Sequence, residues 1–142
     1  MINCKKMEFK RISGQEGALT ALEGNKEIPF DIKRVYYITG VPEGKIRGFH
    51  SHRRLEQVLF CLNGSIKIRI KTPYEEEIVQ LKENSEGLYI GNMIWREMFD
   101  FTPGAVLMVL ASEHYTEDDY IRDYKTYEDE AKKYFLAEEE QI

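Results

Sequence analysis

The clearest pattern in the chain is an alternation of apolar and polar residues at positions 65–71, where Ile66, Ile68 and Ile70 fall on one side of an extended strand. The preceding residues 56–62 are apolar at nearly every position, which predicts a strand buried on both faces. Asn63-Gly64 separates the two segments, and this dipeptide favours a tight turn. The pattern therefore predicts two strands joined as a hairpin.

Further short strands are predicted on both sides of this pair. β-Branched and aromatic residues bounded by turn residues mark them at positions 7–12, 18–23, 32–39, 78–81, 87–90, 94–99 and 105–111. Turns that recur at this spacing are typical of a sandwich or barrel. The predicted fold class is all-β, a barrel or jelly roll.

The pattern changes after residue 112. Thr116 can cap a helix whose first turn holds Glu117, Asp118 and Asp119, and acidic side chains are favourable at a helix N-terminus. Residues 117–135 then predict one or two helices. Since no linker or repeat interrupts the chain, we expect one domain over residues 1–142, with the barrel at about 7–112 and a helical extension at about 117–135.

Composition narrows the class of protein. The 142 residues are 42% hydrophobic and 32% charged, and the net charge of −5 gives no indication of nucleic acid or an acidic membrane as partner. No window reaches the ~20 apolar residues of a membrane span, and the polar N-terminal segment lacks the apolar core of a signal peptide. With two cysteines, Cys4 and Cys61, we expect a cytoplasmic protein without disulfides.

Two of the three histidines, His50 and His52, stand two residues apart. On a strand both imidazoles share a face with Gly48, and a glycine there leaves room for a ligand. A pair of surface histidines is an equally good interpretation of this local sequence alone. His114, at the predicted strand-to-helix junction, is explained by a capping or surface role.

The histidine pair belongs to a longer spaced motif, which consists of Gly44, His50, His52, Glu56 and Gly64. This set resembles the first signature of the cupin superfamily, which supplies two histidines and a glutamate to a metal inside a small β-barrel. The second signature brings another histidine, but Arg96 stands at that position here. Because a guanidinium stays protonated and cannot coordinate a cation, we expect a cupin-type jelly-roll barrel that has lost its metal.

Longer segments are more specific: residues 28–37, 47–65 and 95–98, and residues 109–112 leading to 119–124. In order along the chain, from about residue 8 to about 130, they resemble the family of dTDP-4-keto-6-deoxyglucose 3,4-ketoisomerases. The resemblance implies a homodimeric isomerase that needs no metal or other cofactor and acts on a thymidine-diphosphate sugar. Its product would go to an aminotransferase that makes a 3-amino-3,6-dideoxyhexose.

That reaction defines the chemistry expected of the side chains. Moving a ketone from C4 to C3 removes the C3 proton, passes through an enediol and returns a proton to C4. Histidine, with an unperturbed pKa of about 6.5, both accepts and donates protons near neutral pH. We expect His50 and His52 to be the carbon base and the oxygen shuttle, in an order that the sequence does not give. Tyr37, which shares a strand face with Val35, is the candidate hydrogen-bonding partner of the enediol oxygen.

A diphosphate requires permanently charged, forked donors, and the resembling segments offer five: Arg34, Arg47, Arg54, Arg96 and Arg122. We favour Arg96 and Arg47, although Arg47 needs a bulge near Gly48 to turn inward. Arg54 is in phase with the histidines. Surface salt bridges are nearly as good an explanation for Arg34 and Arg122. Trp95 either stacks on the thymine or fills the core.

The sequence leaves two questions open: which epimer is the product, and which class of reaction, if any, the protein catalyses. Relatives that make the galacto product tend to have histidine at the position of Arg96, so this arginine favours the gluco product, whereas Glu16 matches neither kind of relative. One alternative function is a metal-dependent oxygenase or isomerase with His50, His52 and Glu56 as ligands. The other is a non-catalytic cupin that binds sugar nucleotides.

Overall fold

The computed structural model describes residues 1–83 and 86–140, which form two five-stranded antiparallel sheets, one separate hairpin and a C-terminal helix. The first sheet holds, in spatial order, β1 (Cys4–Glu8), β9 (Glu86–Ile90), β6 (Gln57–Asn63), β11 (Val106–Ala111) and β4 (Arg34–Ile38). The second sheet holds β12 (Tyr120–Ile121), β5 (Arg47–His52), β10 (Trp95–Phe99), β7 (Ser65–Lys71) and β8 (Glu76–Lys82). The hairpin pairs β2 (Arg11–Gly14) with β3 (Gly17–Thr20). The predicted all-β jelly roll with a helical extension is confirmed.

The core lies between the two sheets. The three isoleucines of β7 are at most 1% exposed, while the polar residues between them are partly exposed. They join Leu59 of β6 and Leu107 of β11 in one buried cluster. Burying a side chain of this size stabilises the fold by roughly 1.5–3 kcal/mol. The apolar side chains of β6 and β7 therefore contribute much of the free energy that holds the two sheets together.

Asn63-Gly64 connects the two sheets instead of closing a hairpin, so that expectation was wrong. β6 pairs with β9 and β11, whereas β7 pairs with β8 and β10. Only Gly64 has the positive φ of a turn residue, at 73°, and a Cβ there would collide with the side chain of Thr102. The dipeptide thus marked a sharp turn correctly, while core packing decided which strands pair.

The C-terminal helix, α1 (Tyr124–Glu140), begins later than predicted. Residues Glu117–Asp119 form only a short 3-10 turn, and Thr116 makes no capping hydrogen bond with its side chain. The next two residues pair with β5 as strand β12, which keeps the chain extended. Asp123 then caps α1 by accepting a hydrogen bond from the Thr126 backbone N–H at 2.9 Å. Within residues 1–83 and 86–140, no helix has the length and apolarity to cross a membrane.

Candidate active site

A bulge in β5 shapes the region around the histidines. Opposite this strand, Arg96 pairs with His50 and Glu97 pairs with Gly48, so Phe49 is an extra residue in β5. Gly48 and Phe49 both have positive φ, at 99° and 54°. A Cβ on Gly48 would stand 2.9 Å from the Arg96 carbonyl oxygen, so this glycine serves the strand pairing and not only the space for a ligand.

The bulge lies beside a cleft of about 440 Å³, which we call the histidine cleft. Its walls come from β4, β5, β10 and the segment at β12: Arg34, Val35, Tyr36, Ile38, Arg47, Gly48, His50, Met98, Tyr120 and Arg122. The expectation that Arg47 turns inward through a bulge agrees with this geometry. Three of the five candidate arginines therefore share one cleft with His50.

The two histidines lie in contact at the cleft. Their rings meet edge to face with centroids 4.8 Å apart, and the Tyr120 ring covers both at 5.1 and 4.3 Å. His50 lines the cleft, whereas His52 is 1% exposed. The Nδ1 of His50 lies 3.1 Å from the Gly48 carbonyl oxygen, which can only accept, so Nδ1 carries the proton and Nε2 is left as a base.

Burial is the main reason why both imidazoles are neutral. It lowers the pKa of His50 to about 3 and also depresses the pKa of His52, and the positive charge of Arg96 adds to both effects. At neutral pH each ring can therefore accept one proton and donate another. A pair of neutral imidazoles in contact is suited to moving protons between adjacent atoms of a ligand.

These depressed pKa values predict an acid-sensitive fold. Below pH 6.5 the unfolded chain binds protons on both histidines while the native state does not, so stability falls as pH drops from about 6.5 toward 3. We expect His50→Asn to remove about 2 kcal/mol of the loss that the wild-type protein suffers between pH 7 and pH 5. Urea unfolding of both proteins at the two pH values measures this, and identical pH dependence would contradict it.

Arg96 lies behind the histidines and is 2% exposed. Its Nη1 donates to Gln57 Oε1 at 2.5 Å, and its Nε and Nη2 donate to the Ile94 carbonyl oxygen at 3.3 Å. Gln57 in turn donates through Nε2 to the Tyr36 hydroxyl oxygen at 3.0 Å. Because that oxygen is already an acceptor, the Tyr36 hydroxyl can direct its own proton elsewhere, and Tyr36 lines the cleft.

Tyr37 does not lie in the cleft, which corrects the prediction that it faces the ligand. Alternation along β4 turns Arg34, Tyr36 and Ile38 toward the barrel and leaves Tyr37 on the outer face, 71% exposed. Tyr37 shares a strand face with Val35, as predicted, but that face is the exterior one. Tyr36 is the tyrosine of β4 that lines the cleft with His50.

Trp95 and Arg54 are also placed outside the cleft. Trp95 lies on the opposite face of β10 from Arg96, packs against Tyr124 of α1 with ring centroids 5.0 Å apart, and donates to Glu97 at 3.0 Å. Arg54 follows the end of β5, where the alternation in phase with the histidines no longer applies. Its side chain is 64% exposed, and its Nη2 lies 3.8 Å from Asp119 Oδ1.

The three arginines of the cleft differ in how they are held. Arg122 pairs with Glu117 through Nε at 2.7 Å and Nη2 at 3.0 Å and stacks over the Tyr120 ring at 4.2 Å. Arg34 lies near the rings of Tyr36 and Tyr115, at 5.3 and 5.7 Å. Arg47 is exposed and lines the cleft.

Glu56 is not directed toward the histidines. Its carboxylate accepts a hydrogen bond from the Tyr89 hydroxyl at 2.6 Å, outside the cleft, and the neighbouring Gln57 takes the inward position. In the part of the chain that the structure describes, no group of three histidine, cysteine or carboxylate residues could hold a metal ion. The ligand set of the metal-dependent alternative is therefore not assembled among these residues.

Sequence reasoning missed Tyr36, Gln57 and Tyr120. All three lie within the segments that carried the family resemblance, so a signal was present. Tyr36 was not predicted because the other face of β4, with Tyr37, was expected to meet the ligand. Gln57 was not predicted because the neighbouring Glu56 is the residue that matches a cupin metal ligand. Tyr120 was assigned to a helix and reached the cleft because it is part of β12.

Comparison with known proteins identifies the family to which the chain belongs. Residues 2–132 match the family described as FdtA: WxcM-like, C-terminal. The chain is 48% identical over 130 residues, 92% of this chain and 91% of the relative, to a TDP-4-oxo-6-deoxy-alpha-D-glucose-3,4-oxoisomerase of Aneurinibacillus thermoaerophilus.

Two solved structures extend the comparison. The 3,4-ketoisomerase QdtA from Thermoanaerobacterium thermosaccharolyticum, a histidine-to-asparagine mutant in complex with TDP-4-keto-6-deoxyglucose, is 60% identical with a TM-score of 0.94 over 96% of this chain and 99% of that one. The TDP-quinovose 3,4-ketoisomerase WlaRB of Campylobacter jejuni is 45% identical with a TM-score of 0.86 over 89% and 98%. The sequence, the jelly roll and the paired histidines lead to one assignment: the chain belongs to the FdtA family of sugar 3,4-ketoisomerases.

Proposed function

We propose that this protein converts dTDP-4-keto-6-deoxyglucose into a dTDP-3-keto-6-deoxyhexose. The observation that carries the proposal is a pair of histidines in contact at a cleft that three arginines also line. The imidazoles suit proton transfer between neighbouring carbons, and the arginines suit a diphosphate. A 60% identical relative binds TDP-4-keto-6-deoxyglucose, which supports the choice of substrate.

In this proposal His50 is the carbon base. It lines the cleft, and its Nδ1 is occupied by the Gly48 carbonyl oxygen, so Nε2 takes the C3 proton. The electrons of the C3–H bond form the C3–C4 double bond, and the C4 carbonyl oxygen gains a proton to complete the enediol. The C3 hydroxyl then loses its proton as C4 gains one. Because the gluco product carries H4 on the ring face opposite to the one from which H3 was removed, a water molecule in the cleft supplies this proton, and His50 releases the C3 proton to solvent. His52 carries protons between the oxygens, and Tyr36 hydrogen-bonds the enediol oxygen.

The cleft arginines bind the diphosphate. Arg34, Arg47 and Arg122 line the cleft together with His50, and a guanidinium group can pair with phosphate oxygens through two hydrogen bonds. Arg96 is fully buried and hydrogen-bonded to Gln57, so its role is to orient Tyr36 and to keep both histidines neutral rather than to bind phosphate.

The gluco product is proposed over the galacto product. Arg96 stands where relatives that form the galacto product tend to have histidine, and WlaRB, a 45% identical relative, is a TDP-quinovose enzyme. We expect Arg96→His to move the product ratio toward galacto at least several-fold, because it changes the group behind the two proton carriers. The H4–H5 coupling in the proton NMR spectrum of the product distinguishes the epimers.

The control for this substitution is Arg69→His, which makes the same change on the outer face of β7, where Arg69 pairs with Glu97 at 2.9 Å. This variant should retain the wild-type product ratio. An unchanged ratio in folded Arg96→His protein would remove Arg96 as a determinant of stereochemistry.

We further propose that the protein is a cytoplasmic homodimer. The β2–β3 hairpin is exposed at every residue, with Ile12 and Leu19 each 58% exposed, and an isolated two-stranded hairpin is marginally stable in water. A second copy of the chain would cover these side chains.

Cys4 and Cys61 are free thiols, which suits a reducing compartment. The C3 ketone of the product suits an aminotransferase that forms a 3-amino-3,6-dideoxyhexose.

Incubation of the purified protein with dTDP-4-keto-6-deoxyglucose tests the activity directly. The proposal predicts a new species of unchanged mass, whose NMR spectrum places the ketone at C3. Recovery of unaltered substrate that binds to the protein would favour the non-catalytic alternative instead.

A further inference from the structure

His52 is buried with both ring nitrogens unpartnered. It is 1% exposed, and among the described residues neither Nδ1 nor Nε2 has a hydrogen-bonding partner. Leaving a buried polar group without a hydrogen-bonding partner destabilises the fold, so such a group in a protein interior requires an explanation. The two unpartnered nitrogens of His52, next to the histidine cleft, therefore indicate a further functional contact.

Asp119 is the acidic residue closest to this ring. Its Oδ2 lies 3.4 Å from His52 Nδ1, and the carboxylate is itself buried, with the residue 3% exposed. Its oxygens accept backbone N–H bonds from Arg54 at 2.7 Å and from Leu55 at 3.1 Å. A carboxylate has about four acceptor sites, so lone pairs remain for the imidazole.

The fold holds the two side chains beside each other. Asp119 ends the 3-10 turn, and the next residue, Tyr120, pairs directly with His52 as β12 adds to β5. The Asp119 carbonyl oxygen also accepts a hydrogen bond from the Arg53 N–H at 3.0 Å. Backbone contacts therefore hold this segment against the end of β5. At 3.4 Å the carboxylate is within reach of Nδ1, and a small change in distance and angle would let it accept the Nδ1 proton.

We propose that Asp119 is a positioning residue that accepts the Nδ1 proton of His52 and so leaves Nε2 unprotonated. The inference rests on the proposed function, in which His52 carries protons between the sugar oxygens. A fixed tautomer presents the same nitrogen to each substrate, and a carboxylate beside the other nitrogen stabilises the imidazolium that forms during transfer. Catalytic hydrogen bonds that are long in the free enzyme commonly tighten in the complex.

The tautomer can be measured without substrate. Protein labelled with ¹⁵N-histidine has only three imidazoles, and spectra of His50→Asn and His114→Asn assign the His52 signals by elimination. We expect wild-type His52 to be protonated at Nδ1 with an unprotonated Nε2. A His52 ring protonated at Nε2 would overturn the proposal, whether or not the enzyme acts on the proposed substrate.

Substitution of Asp119 distinguishes a role in positioning His52 from a purely structural role in the 3-10 turn. Asp119→Asn should shift His52 toward protonation at Nε2 and lower kcat about 100-fold, with KM changed less than about threefold. The matched control is Asp118→Asn, the same change at an exposed neighbour, which should retain the wild-type tautomer and rate. If folded Asp119→Asn protein keeps His52 protonated at Nδ1 and keeps its kcat, the proposal is overturned. If the variant does not fold, the wild-type spectrum still decides.

Discussion

Replacing His50 by asparagine is expected to lower kcat for ketoisomerisation by about 1,000-fold, within the usual range for loss of a general base. The imidazole lines the cleft, and burial together with Arg96 lowers its pKa to about 3, so it is present as the free base at neutral pH. Asparagine can still donate to the Gly48 carbonyl oxygen but offers no basic nitrogen. KM should change little, because the three arginines remain.

The control for this prediction is His114→Asn. His114 is exposed, does not line the cleft and falls in the loop after β11, so its loss should leave kcat within about twofold of the wild-type value. The rates are measured by following the 3-keto product. A kcat for His50→Asn within tenfold of wild type would show that His50 is not the carbon base.

Removing the Tyr36 hydroxyl is expected to lower kcat about 100-fold, a magnitude typical of losing one donor to a developing oxyanion. Gln57 already donates to this oxygen at 3.0 Å and is itself held by Arg96. The hydroxyl proton is therefore directed away from Gln57 and is available to the substrate oxygen. Tyr36→Phe retains the ring and its packing but leaves the buried Gln57 amide without its acceptor, so some stability is lost as well, and kcat is compared on folded protein.

Tyr37→Phe is the matched control, because it removes the same atom from the adjacent residue. Tyr37 is 71% exposed on the outer face of β4, and its hydroxyl should be dispensable for turnover, with kcat within about twofold of wild type. A larger effect at Tyr37 than at Tyr36 would contradict the assignment of strand faces. Circular dichroism and thermal unfolding of both variants exclude a folding defect.

The sequence was informative wherever local periodicity decides the outcome. Alternation in residues 65–71 predicted which isoleucines are buried, and the spacing of His50 and His52 predicted two imidazoles on one face. Both are consequences of the two-residue period of a strand, which needs no knowledge of partners. The change of pattern after residue 112 likewise indicated a C-terminal helix, although β12 still adds to the second sheet before that helix begins.

Strand pairing and inward direction were harder to predict. Asn63-Gly64 indicated a turn, but nothing local determines whether the next strand returns to the same sheet or crosses to the other. Tyr36 and Tyr37 are adjacent aromatic residues on β4, and the choice between them depends on which face meets the second sheet. Strand pairing and the inward face of a strand are determined by packing between elements that are distant in the sequence.

The site's positions were predicted through resemblance more than through physical derivation. Arg34, Arg47 and Arg122 do line the histidine cleft, whereas Trp95 is packed under α1. The bulge at Phe49 depends on a register shift against β10, and β12 depends on pairing with β5. Both features rest on partners nearly 50 residues or more away, so they could not be derived from local pattern.

The most direct test of the account is proton NMR of the wild-type protein with dTDP-4-keto-6-deoxyglucose in deuterated water, with and without a chelator. We predict deuterium uptake at C3 or C4 together with a 3-keto product, at the same rate in both samples, and no appreciable uptake with His50→Asn. Exchange that the chelator abolishes would contradict proton transfer by the histidine pair and favour a metal centre. The absence of exchange at either carbon would contradict the proposed isomerisation itself.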